Sequence, residues 1–97
     1  MTHDEKLKRL EISIVDRLSD LIAQATKERS HYYAKAVVEE TLTKIHTLEK
    51  NIDIARAGII GALNELGVPQ PDYPAPIANA VILLKNTLKL IEEKETK

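Results

Sequence analysis

"ARAGIIGAL", residues 55–63, sets Gly58 and Gly61 inside a stretch whose other features all read as helix. A glycine in a helix interior costs roughly 0.5–1 kcal/mol relative to alanine, because it gives up more backbone entropy and has no side chain to pack. The surroundings suggest what offsets that cost. Between Arg56 and Asn64 no side chain is polar, and a helix that is apolar all round is buried all round. The glycines therefore read as points where another backbone comes close, as small residues allow at tight helix crossings. Ile54, Ala55, Ala57, Gly58, Gly61 and Ala62 form the expected contact set.

Working outward, Ala34, Val38, Leu42, Ile45, Leu48, Ile52, Ala55, Ile59, Leu63 and Leu66 recur at helical spacing and predict one bent helix over about 31–66. A break near Asn51 and Asp53 is the alternative, since both residue types cap helices well. Gly67 suits the left-handed residue that ends a helix, Val68 the hydrophobic contact beside it, and Pro69 cannot continue it. On the side opposite the core stripe, the first half carries Glu39, Thr43, Thr47 and Lys50, and the second half Ile54, Ala57, Gly58 and Gly61.

Upstream, Leu7, Leu10, Ile14, Leu18, Leu21 and Ala25 mark an amphipathic helix over about 3–28, with Thr2 and Glu5 as a capping box. From Ala25 to Ala34 is nine residues, or two and a half turns, so on one continuous rod the two stripes would face opposite ways. A turn near 27–30, with Ser30 as N-cap, brings them face to face as an antiparallel hairpin. Downstream, all four prolines lie in "GVPQPDYPAP", predicting a stiff connector over 67–75. A third helix follows over about 76–93, with Pro76 at its first position and Ile77, Val81, Leu84, Leu88 and Ile91 as its seam.

The expected fold is all-α: one domain over 1–97, a long antiparallel helical hairpin plus a third helix after the proline-rich connector. Helix lengths of roughly 35, 54 and 25 Å leave the third helix to cover both flanks of residues 55–66. A second copy is expected to share that task, completing the bundle as a homodimer or larger ring. The alternative is that the third helix folds back over this surface within one chain.

The 97 residues include no Cys, Trp or Phe, and only Tyr32, Tyr33 and Tyr73 are aromatic. Without cysteine there are no disulfides and no thiolate chemistry, and a cytoplasmic location is the simplest expectation. The first residues hold no apolar signal region, and no uncharged run approaches the roughly 20 residues of a membrane span. Net charge is −1: residues 1–30 carry six charges of each sign, 31–66 four positive and five negative, and 67–97 four of each. That even balance disfavours a nucleic-acid partner, which calls for clustered Lys and Arg.

His3, His31 and His46 share no metal-ligand spacing, and His46 with Glu49 is one reversed pair where a di-metal bundle needs several. Ser13, Ser19 and Ser30 lack recognisable His and Asp companions. Neither an enzyme, a metal nor a cofactor is expected. Arg56, flanked by alanines, reads as a snorkelling or ion-paired side chain, or as a fork for a phosphate or carboxylate. Tyr32, Tyr33 and Lys35 at a helix start offer stacking and charge to a nucleotide-like ligand, or cap a small core. Asp72 and Tyr73 in the connector are candidates for partner recognition.

These features lead to a small helical protein that self-associates and works by binding, as an adaptor, assembly factor or stoichiometric inhibitor. Many small chains of prokaryotes and phages are of this kind, an analogy at the level of fold alone. The alternative function is sequestration of an anionic, nucleotide-like small molecule between chains through Arg56, Lys35, Tyr32 and Tyr33.

Overall fold

The apolar stripes become four helices in a computed structural model that describes residues 3–28, 32–67 and 73–96. They are α1 (His3–Glu28), α2 (Tyr32–Ile45), α3 (Ile52–Leu66) and α4 (Ala75–Thr96), with no strand among the described residues. No helix is long and apolar enough to cross a membrane. Thr2, Ser30, His31, Val68, Pro69 and Asp72, which carry capping, turn or recognition roles in the sequence reading, lie outside the described residues.

The α1 stripe faces inward: Leu7, Ile14, Leu18 and Ala25 are buried, and Leu10 and Leu21 pack half-buried against the core. Lys35 Nζ donates to Thr26 Oγ1 at 3.2 Å near one end of the α1–α2 pair. At the other end the Glu49 amide donates to Glu11 Oε1 at 3.0 Å. The two helices therefore run antiparallel.

The single bent helix expected over 31–66 is instead two helices. After Ile45 the chain tightens: the amides of Thr47 and Leu48 donate to the carbonyls of Lys44 and Ile45 at 3.1 and 2.9 Å. The Thr47 hydroxyl also donates to the Lys44 carbonyl, at 2.6 Å, offering the backbone an alternative to helix continuation. Asn51 then leaves helical geometry at φ −148°, and its Oδ1 accepts the Ile54 amide at 3.3 Å as the N-cap of α3. The physical reason for the break is burial. A straight rod of this length would leave one flank uncovered, whereas the corner seals Leu48 completely and lays α3 antiparallel on α2.

At the far end of α3, Gly67 has φ 65° and ψ −150°, a conformation open almost only to glycine, and its amide donates to the Leu63 carbonyl at 2.8 Å. The third predicted helix, α4, starts one residue earlier than expected and ends later, at Thr96. The Pro74 carbonyl accepts the amides of Ile77 and Ala78 at 3.0 and 3.1 Å, so Ala75 is the first helical residue. Pro76 takes the second position, where an amide would have no intrahelical acceptor in any case.

Tyr73 Oη donates to the Leu66 carbonyl at 3.0 Å, placing the start of α4 beside the end of α3. From there α4 packs along both α3 and α1, closing an up-down-up-down bundle of 41 × 21 × 17 Å. Leu18, Ile45, Leu48, Ile59, Val81, Leu84 and Ile91 are sealed from water at its centre. The buried hydroxyls of Thr41 and Thr87 donate to the carbonyls one turn back, each at 2.7 Å.

Candidate interaction surfaces

Gly58 is buried, and the segment that comes close to it belongs to the same chain. A Cβ added there would lie 2.7 Å from Lys44 Cδ and 2.9 Å from Lys44 Cβ. The aliphatic stem of Lys44, on α2, thus occupies the space that any larger residue at 58 would claim. Its ammonium reaches outward to Glu40, 3.6 Å away. At Gly58 the expected neighbour, a second copy or the third helix, is replaced by α2 of the same chain, while α4 packs on another side of α3. Once α2 doubles back on α3, it is α2 that covers this flank.

Ala55 and Ala62 are buried with Gly58, whereas Ile54 is 46% exposed and Ala57 and Gly61 face solvent. Residues 54–61 are therefore sealed on one flank only. Gly61 opens on a shallow groove of about 90 Å3 between α2 and α3, and a Cβ there would meet nothing within 4 Å.

The four residues of the proposed anion site divide between the two ends of the α2–α3 pair. Tyr33 Oη donates to the Glu65 carboxylate. That hydrogen bond, with the carboxylate's negative charge, raises the Tyr33 pKa above its ordinary value. Lys35, two residues on, bonds Thr26 and lies 3.6 Å from Glu39. Tyr32 and Tyr33 are both exposed. Arg56 lies nine residues from Glu65 along α3, about 13 Å at 1.5 Å per residue. Its guanidinium donates to Asp53 at 3.1 Å on the same helix. One chain does not gather these groups around a single ligand.

Tyr73 also departs from its expected place: rather than standing free in the connector, it packs half-buried against the core. His46 lies exposed in the 46–50 turn. Among the described residues, no three His, Cys, Asp or Glu side chains cluster as metal ligands would.

A larger concavity lies between α1 and α4. It is an open groove of about 370 Å3 lined by Arg17, Asp20 and Leu21 of α1 and by Asn79, Ile82, Leu83 and Asn86 of α4. Leu21 and Leu83 form its floor. Ile82 is 48% exposed on its α4 wall. Leu90, 41% exposed, follows seven residues after Leu83 and so prolongs the apolar strip along the same side of α4. Arg17, Asp20, Asn79 and Asn86 are exposed, and no hydrogen bond or ion pair joins them across the groove.

The signal for one wall of this groove, on α4, was present in the sequence. Asparagine is a poor helix former, and Asn79 and Asn86 sit seven apart on one face of α4 with Ile82 and Leu83 between them. No family model, no curated protein and no solved structure matches the chain.

Proposed function

We propose that this chain is a small helical binding protein that self-associates and acts by contact with other proteins, as an adaptor, assembly factor or stoichiometric inhibitor, rather than by catalysis. The observation that carries this reading is the open α1–α4 groove, apolar along its floor and polar at its rim. That layout, an apolar centre ringed by hydrogen-bonding groups, is the anatomy of a protein contact surface. Exposed isoleucines and leucines scattered singly need no explanation. Ile82 and Leu90 differ because they continue the groove floor outward.

Size-exclusion chromatography with light scattering, run from low to high micromolar concentration, tests the reading. The expected mass is at least twice the 10.9 kDa of one chain. A strict monomer across that range would remove self-association from the proposal.

The nucleotide-sequestering alternative gains no support from one chain, because Arg56 stands at the opposite end of the α2–α3 pair from Tyr32, Tyr33 and Lys35. A saturable thermal shift with a nucleotide that disappears in Arg56→Ala would revive it.

A further inference from the structure

We infer that the α1–α4 groove is a two-fold interface, and that its occupant is a second copy of this chain docked through the same groove. This inference rests on the self-association proposed above and adds where it occurs and in what geometry. Its basis is that the groove is complementary to itself.

Arg17 and Asp20 stand three residues apart on α1, about 4.5 Å along the axis, with opposite charge and similar exposure. Among the described residues neither has an ion-pair partner. On α4, Asn79 and Asn86 flank Ile82 and Leu83 symmetrically, so the lining reads the same in both directions: amide, apolar pair, amide.

A two-fold axis lying across the groove, perpendicular to the helices, sets each α1 antiparallel on the other α1 and each α4 on the other α4. Arg17 then meets the partner's Asp20, and Asp20 meets the partner's Arg17. Asn79 meets the partner's Asn86 in the same way, and an amide, both donor and acceptor, is an adequate match for another amide. Ile82, 48% exposed, falls next to the axis and packs on its counterpart, while Leu83 beneath it is already buried in the core. An isologous contact requires this correspondence of a patch with itself. A partner of strongly basic or acidic character would find no matching field here, because the groove carries one charge of each sign.

Reversing the charges tests the pairing directly. Arg17→Asp makes both charged positions of the groove acidic, and Asp20→Arg makes both basic. Each variant alone is expected to dimerise at least about tenfold more weakly than the parent, and an equimolar mixture to recover the dimer as a heterodimer. Far-UV circular dichroism checks that both remain helical, as expected for exposed positions.

A second measurement does not depend on weakening anything. The chain contains no cysteine, so an Ile82→Cys variant can form a disulfide only between copies. Mild oxidation should convert it to a covalent dimer in high yield, while Ile12→Cys, on an exposed position of α1 away from the groove, should not convert. If the parent is a dimer but the charge variants dimerise normally and Ile82→Cys does not cross-link, the interface lies elsewhere and this inference falls while self-association stands. If the parent is monomeric at all concentrations, both fall together.

Discussion

The seam between α2 and α3 and the seam between α4 and α1 differ in how far they close, with a groove of about 90 Å3 left at the first and about 370 Å3 at the second. In the first, removing one side chain, at Gly58, lets the Lys44 stem settle against α3, and Tyr33 bonds Glu65 across the junction. In the second, Asn79, Ile82 and Asn86 face Arg17 and Asp20 over an open groove. A glycine within a helix thus reports first on the segment nearest in the chain. A pair of asparagines one heptad apart reports on a face left over once the chain has folded.

The largest expected effect breaks the closed seam. Gly58→Val should destabilise the fold by about 2 kcal/mol, because the added atoms overlap Lys44 close to its backbone rather than at its flexible tip. Urea unfolding followed by circular dichroism gives the number. An unchanged midpoint would mean that close crossing is not why glycine stands there.

A smaller loss is expected at the corner that makes the seam possible. Asn51→Ala removes the carboxamide that accepts the Ile54 amide and should cost about 1 kcal/mol. The same denaturation experiment reads it.

Gly61→Ala should act in the other direction, stabilising the chain by about 0.5–1 kcal/mol, since a methyl there meets no atom and alanine is the better helix former. Light scattering on the same variant sharpens the contrast. Unchanged association is expected if copies meet at the α1–α4 groove, and lost association would move the contact to the outer face of α3.

The smallest effect is lost in alkaline solution. Below the ordinary tyrosine pKa of 10.0, the folded and unfolded chains both keep the Tyr33 proton. Above it the unfolded chain releases the proton first, so this contribution is lost as pH rises through the elevated folded value. Tyr33→Phe, which lacks this contribution, should therefore be slightly less stable than the parent near neutrality and converge with it as pH rises through the elevated Tyr33 value. Parallel pH-stability profiles would show that the Tyr33–Glu65 bond contributes no linkage.

Helical periodicity made the interior legible. Every stripe position on the first predicted helix is buried or half-buried, and so is every one from Ala34 to Leu66. The stripe concealed the corner, because residues 45, 48 and 52 keep helical spacing through a turn that is no longer α-helix. Leu48 is wanted inside in either conformation, so periodicity cannot separate a bend from a reversal there. The N-cap chemistry of Asn51 was the better guide.

Of the two glycines, Gly58 meets the side chain of Lys44 rather than another backbone and Gly61 meets nothing within 4 Å; taking α2 and α3 as one rod hid α2 as the neighbour. The α1–α4 groove escaped notice for a different reason. It is formed by residues about sixty positions apart, and spacing along one helix carries no information about which distant helix will stand beside it.

The alternation of helix directions has one further consequence. Because α1 rises from the corner at 46–51 and α4 descends toward it, the two ends of the described chain leave the bundle at the same pole. In an antiparallel two-fold pair, those poles point away from each other. Anything joined to the two copies would then be held apart by roughly the 41 Å length of the bundle, so that such a pair would serve as a short, stiff spacer with its attachment points at opposite tips.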